Sequence, residues 1–247
     1  MKIIDVHAHY GRWGFPIEAD SVEAILKMME KNEIEKVILS SSLAILYDYH
    51  EGNAQLAKAI EEYPQLYAYL FLNPNYIRES ILELDKYLSE NPKYVGLKLY
   101  SDGYINQPLN CPGHRNFLEV LQKKYPHNNC VLFHCCSYSS ALQLLELAKN
   151  FPEVNFIMGH MGGGEWKKAI GVATQVSNIY LELCSSNPAQ GKIEESVSEV
   201  GADKIMFGSD MCLLNPSCTI GMVESAQVSN EKKTLILYDN AARLFHM

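Results

Sequence analysis

Residues 2–10 read KIIDVHAHY, an apolar run that passes without a break into an aspartate and two histidines at alternate positions. Side chains two apart on a strand point to the same face, so the alternation sets Asp5, His7 and His9 on one side and Val6 and Ala8 on the other. Two neutral imidazoles that face one space can grip a single divalent cation. A His-x-His pair also arises on wet loops, so the reading turns on whether the rest of the chain supplies more ligands.

Seven further runs share the apolar character: KVILSSS (36–42), LYAYLFLN (66–73), YVGLKLY (94–100), CVLFHCC (130–136), VNFIMGH (154–160), NIYLELC (178–184) and KIMFGSD (204–210). Between them lie amphipathic stretches of helical period, among them SVEAILKMMEKNEI (21–34), ESILELDKYLSENP (79–92) and ALQLLELAKNFP (141–152), with Pro or Gly closing several. Apolar strands that alternate with helices need a parallel sheet covered on its outer face, and eight such units fit an α/β fold of the (β/α)8 TIM-barrel type. An open doubly wound sheet fits less well, because the first turn, HAHYGRWG (7–14), has no GxGxxG phosphate turn. Residues 1–247 read as a single barrel domain, since such barrels commonly run to about 250 residues undivided and a hydrophobic fraction of 47% can fill the core.

A net charge of −8 argues against a nucleic-acid backbone or an anionic membrane surface as partner, because both attract basic proteins. The expected partner is a small-molecule substrate, and a homo-oligomer is compatible with the sequence. The seven cysteines lack CxxC spacing and several sit in apolar runs, where a thiol behaves as a small core hydrophobe. The start shows no basic segment followed by an apolar h-region, and no apolar stretch is long enough to cross a bilayer. The expected setting is therefore soluble and cytoplasmic.

In a (β/α)8 barrel the active site lies at the carboxyl ends of the strands. On this reading strand one ends in His7 and His9, strand four in Lys98, strand five in His134, strand six in His160 and strand eight in Asp210. Each has a plain alternative: His134 as a hydrogen-bonded core histidine, His160 as a turn residue before MGGG, Asp210 as an N-cap. Taken together at the converging ends of one barrel they read as a divalent metal site.

The segments IDVHAH (4–9), GLKLY (96–100), FHCC (133–136), GHMGGGEW (159–166), VGADKIMFGSD (200–210) and DNAARLF (239–245) together resemble the amidohydrolase superfamily, in its amidohydrolase-2 branch with the aminocarboxymuconate semialdehyde decarboxylase-like enzymes. The resemblance implies that His7, His9, His134 and Asp210 hold a divalent ion, usually zinc, with His160 free as an acid or base. Lys98 departs from the one-metal pattern. Members with two metals often carry a carboxylated lysine at the end of strand four as a bridge, and there the residue matching His160 ligates the second ion. One ion or two stays open, as does Lys98 as a plain cation pairing with Asp210 or a substrate acid. A TatD-like nuclease fits less well, because that group carries Glu where this chain has Lys98 and would prefer a less acidic surface.

An ion held by three neutral histidines and a carboxylate lowers the pKa of a bound water from 15.7 to about 7. Asp210 can accept that water's proton, and His160 can polarise a carbonyl or steady an oxyanion. The expected function is a metal-dependent hydrolase of an amide, ester or lactone. A non-oxidative decarboxylase of an unsaturated or aromatic acid and a noncatalytic metal-binding barrel are the alternatives. On the substrate side, Arg12 in the first βα loop can grip a carboxylate or be an ordinary surface arginine. Tyr100 and Trp166, with Trp13, Phe15, Tyr47 and Tyr49, can wall a planar substrate or pack the core. Glu182, a charge in a barrel strand, is expected to pair with a polar neighbour. Zinc, manganese and iron all accept such ligands.

Overall fold

The apolar runs become eight strands that pair in parallel in chain order: β1 Ile3–Tyr10, β2 Ile34–Ser41, β3 Leu66–Phe71, β4 Tyr94–Leu99, β5 Cys130–His134, β6 Asn155–Gly159, β7 Ile179–Glu182 and β8 Ile205–Met206. This computed structural model describes residues 2–17, 20–101, 103, 105–184 and 187–247. Closure of the sheet is made by β1 and the chain just after β8. The Val6 amide donates to the Phe207 carbonyl at 3.1 Å, the Asp210 amide to the His7 carbonyl at 2.8 Å, and Ala8 forms a parallel bridge with Met211. The result is a (β/α)8 TIM barrel.

The helices are α1 Val22–Lys31, α2 Ser42–Leu46, α3 Tyr49–Ile60, α4 Ile77–Glu90, α5 Pro112–Lys124, α6 Tyr138–Asn150, α7 Trp166–Ala173, α8 Lys192–Val200, α9 Pro216–Ser225, α10 Asn230–Thr234 and α11 Asn240–Phe245. Their starts are written locally. Ser21 caps α1 by accepting from the Ala24 amide, and Ser137 and Ser140 form a reciprocal capping box on α6, each device contributing about 1 kcal/mol. On α1 the buried residues Val22, Ile25 and Met29 recur at the spacing that turns one helical stripe inward.

Strand alternation divides the core into two layers. Residues such as Val131, Phe133, Phe156 and Met158 face outward and pack with Ile25, Leu56, Leu84, Phe117 and Leu144 of the surrounding helices. Ile4, Val6, Ile38, Tyr69, Cys130, Leu132, Ile157 and Met206 fill the interior, joined by Ala241 and Phe245 of α11. The expected faces of β1 need correction here. Val6 belongs to the inner layer and Ala8 to the outer one, so they do not share a side. The register slips between Asp5 and Ala8, where β1 takes three steps to the two that β2 takes from Val37 to Leu39. Such a bulge breaks strict alternation and re-aims the side chains beyond it. It lets Val6 complete the apolar plug while His7 and His9 both reach Asp210.

Candidate metal centre at the carboxyl ends of the strands

Above the apolar layer the interior changes character within one strand step. Lys98 on β4 stands beside Leu132 of the apolar interior, His134 ends β5, Glu182 ends β7, and the loops after β6 and β8 bring in His160 and Asp210. Asp210 Oδ1 lies 3.0 Å from His9 Nε2 and 3.6 Å from His7 Nε2. Tetrahedral ligands at roughly 2.0–2.1 Å from one ion stand about 3.3 Å apart, so each of these two imidazoles stands from Asp210 Oδ1 about as a fellow ligand of one ion would. Both His160 and Asp210 take left-handed backbone, with φ of 65° and 59°, a conformation non-glycine residues adopt at a cost and one that recurs at functional sites.

His160 stands between two groups. One ligand atom each from His7, His160, Cys184 and Asp210 lie within 4.8 Å of one another, and so do those of His134, Cys136 and His160. His160 Nε2 is 3.0 Å from His134 Nδ1, and Cys184 Sγ is 3.1 Å from His160 Nδ1. The sequence leaves His160 either free as an acid or base or as a ligand of a second ion, and its ring packs among the other candidate ligands.

Burial governs the charges. Desolvation lowers the pKa of His7, His9, His134 and His160, the last to about 3, and the neighbouring Lys98 cation or the other imidazoles add to it for His7, His134 and His160. The four rings are therefore neutral and free to ligate. Burial alone would raise Asp210, but the hydrogen bond with His9 and the ring of imidazoles outweigh it, and the carboxylate stays ionised. Desolvation brings Lys98 down to about 8 against the pull of Asp210. Its Nζ stands 2.8 Å from His7 Nε2. Neutral imidazoles beside an ionised carboxylate form a donor set that suits zinc or manganese.

Behind these ligands stands a set of supports that the sequence showed only in part. Glu182 was expected to meet some polar neighbour. Its Oε2 accepts from His7 Nδ1 at 2.8 Å and from the His160 amide at 3.2 Å, and its Oε1 accepts from the Cys184 amide. A carboxylate on Nδ1 leaves the Nε2 lone pair for an ion. Gly208 makes room for it, since a Cβ there would sit 2.1 Å from Glu182 Oε1. Asp5 accepts from the His7 amide, from the Ser209 amide and from the Ser209 hydroxyl, which pins the Asp210 loop to β1. Burial pushes Asp5 up to about 7 despite those bonds. Cys184 was missed as a site residue, yet it lies two residues beyond Glu182, the spacing of one strand face.

The expected substrate residues are dispersed. Arg12 is paired with Asp20 at 3.1 Å and its side chain is 89% exposed. Tyr100 stacks on His134 at 4.1 Å between ring centroids, and Trp13 sets its edge against His9 at 5.0 Å. Trp166 is buried in the layer between sheet and helices. The turn His160–Glu165 brings Gly163 so near the chain after β5 that a Cβ would meet the Cys136 carbonyl at 2.5 Å, with φ of 60°, so MGGG serves a close backbone approach.

A parallel barrel with His-x-His on its first strand and His, His and Asp at later strand ends is an amidohydrolase-type barrel. The family model for Amidohydro_2, the amidohydrolases, matches residues 4–247, and the chain belongs to that family. Among solved structures it is similar to 2,6-dihydroxybenzoate decarboxylase from Rhizobium, at 18% identity over 99% of this chain and 98% of that one with a TM-score of 0.80. It is also similar to a dihydroxybenzoic acid decarboxylase from Polaromonas sp. JS666 with bound manganese and 2-nitroresorcinol, at 16% identity, 99% and 97% coverage and a TM-score of 0.78. A third likeness is to a protein described as a probable 2-pyrone-4,6-dicarboxylic acid hydrolase from Acinetobacter baumannii with citric acid bound, at 17% identity over the whole of both chains and a TM-score of 0.72. A curated relative, the uncharacterized protein y4mH of Sinorhizobium fredii (strain NBRC 101917 / NGR234), is 22% identical in an alignment of 179 positions that covers 61% of this chain and 59% of y4mH. No helix among the described residues is long and apolar enough to cross a membrane.

Proposed function

We propose that the protein is a divalent-metal-dependent hydrolase that cleaves an amide, ester or lactone bond of a small molecule, with His7, His9, His134 and Asp210 holding the ion. The observation that carries this reading is the convergence of His7 Nε2 and His9 Nε2 on one oxygen of an ionised Asp210 at ligand spacing. When bound, such an ion supplies Lewis acidity and a water acidified to near neutral pH. Asp210, held by the Asp5–Ser209 clamp, is placed to take a proton from that water. His160, neutral and beside the ligands, is placed to donate a hydrogen bond to the developing oxyanion of the substrate. Glu182 keeps His7 in the form that ligates.

A second reading, non-oxidative decarboxylation of an aromatic acid, is favoured by the likeness to the hydroxybenzoate decarboxylases. It asks for a cation that grips the substrate acid. Arg12, the residue expected in that role, is engaged by Asp20 at the surface, and this favours the hydrolase. The test is a panel of lactones, esters and amides beside 2,6-dihydroxybenzoate on metal-loaded protein. Hydrolysis of a panel member without release of carbon dioxide supports the first reading. Release of carbon dioxide from the acid alone replaces it with the second.

A further inference from the structure

Glu182 and Cys184 sit two residues apart at the end of β7 and each meets one imidazole at its Nδ1. Glu182 Oε2 accepts from His7 Nδ1 at 2.8 Å. Cys184 Sγ is 3.1 Å from His160 Nδ1 and 3.6 Å from His7 Nδ1. Because His7 Nδ1 already donates to a carboxylate, it has no lone pair to offer the thiol. Among the described residues the remaining imidazole acceptor within reach of the Cys184 S–H is His160 Nδ1. A thiol with an ordinary pKa of about 8.5 carries its proton at neutral pH, and its S–H is a donor that an imidazole lone pair can accept. Once Nδ1 accepts, the proton of a neutral imidazole must reside on Nε2, the nitrogen that faces His134 at 3.0 Å.

We propose that Cys184 is a positioning residue that fixes His160 as the neutral Nε2–H tautomer, so that its Nε2–H is the hydrogen-bond donor offered to the substrate's developing oxyanion. Strand β7 thus sorts two neighbouring rings into opposite forms. The carboxylate of Glu182 makes His7 a ligand by holding the proton on Nδ1, and the thiol of Cys184 makes His160 a donor by holding it on Nε2. A carboxylate in place of the thiol would reverse His160 and give it a lone pair on Nε2, which is a ligand's property. The division explains how two imidazoles whose ring centroids are 4.9 Å apart can take different roles. It rests on the reading of His160 as the oxyanion donor, and it concerns the ring before any ion or substrate is present.

The test is long-range proton–nitrogen NMR on metal-free protein with nitrogen-15 histidine, the His160 signals being assigned by their loss in His160→Gln. In the unsubstituted protein His160 is expected to show a protonated Nε2 and a lone-pair Nδ1. Cys184→Ser, which keeps a donor, retains that pattern. Cys184→Asp inverts it, and Cys184→Ala, which cannot donate, moves both nitrogens toward the intermediate shifts of a mixture. On the loaded enzyme Cys184→Ala lowers kcat by about 10-fold with KM and metal content little changed, in the range of lost outer-shell partners. A protonated Nδ1 in the unsubstituted protein, or shifts unchanged in folded Cys184→Ala, overturns the proposal. Failure to hydrolyse any panel substrate overturns the hydrolase reading instead and leaves the tautomer result standing.

Discussion

The two ends of the barrel interior are equally buried and built from opposite materials. Toward the amino end Ile4, Val6, Ile38, Leu132, Ile157 and Met206 close on Phe245 of α11. At the carboxyl end His7, His9, Lys98, Glu182 and Asp210 occupy the same interior with as little access to water. An apolar layer gains from burial itself, whereas each buried polar group costs free energy unless it is paired. The polar end meets that cost by mutual satisfaction: Glu182 with His7, Asp5 with Ser209, Asp210 with His9. Stability is therefore expected to reside in one half and chemistry in the other, and substitutions in the two halves should give opposite phenotypes.

The sharpest separation is expected at His160 and Asp210. His160→Ala should lower turnover by about 10²–10³-fold, as for a lost oxyanion donor, with metal content and melting temperature near normal. Asp210→Asn should lower turnover by at least as much and metal affinity with it, because an amide is a weaker ligand and takes no proton. Metal analysis beside kinetics checks both, and retained activity in either breaks the assignment. In the other half, Phe245→Ala should destabilise the fold by about 3–5 kcal/mol in denaturant titration without altering metal stoichiometry. Loss of the ion at unchanged stability would show that the halves are not separable.

Glu182→Gln probes the boundary. It keeps the shape but replaces the carboxylate on His7 Nδ1, and metal affinity should fall by roughly 10–100-fold, measured by competition with a chelator. The smallest effect is expected at His114, a buried histidine of α5 whose Nδ1–H donates to the Leu109 carbonyl and whose ring packs on Phe133. Burial lowers its pKa to about 4. The unfolded chain binds this proton more readily, so stability should fall as pH drops from about 6.5 towards 4. His114→Asn should flatten the stability curve in that window relative to the unsubstituted protein and leave the ion in place. A variant curve parallel to the original would show that this histidine contributes no such slope.

Much of this comparison was legible in the chain. The apolar runs gave the strands because fully buried parallel strands are apolar on both faces, and His7, His9, Lys98, His134, His160 and Asp210 stood out as polar residues at their ends. What was hidden depended on geometry that periodicity does not encode. The bulge in β1 put Val6 and Ala8, expected on one face, into different layers. The run KIMFGSD pairs in the sheet over Ile205–Met206, because the chain beyond it turns to close on β1. Cys184 looked like a core thiol, since its distance from His160 is set by two loops far apart in sequence. Arg12 lay in the right loop, but a nearby Asp20 determines where its guanidinium goes.

The central claim, that the carboxyl end of this barrel is a metal centre anchored by β1, is tested most directly by metal content. Protein loaded with zinc or manganese and then desalted should retain at least one divalent ion per chain, and His7→Ala/His9→Ala should retain essentially none while its circular dichroism is unchanged. A folded double variant that keeps a stoichiometric, tightly held ion would contradict the account.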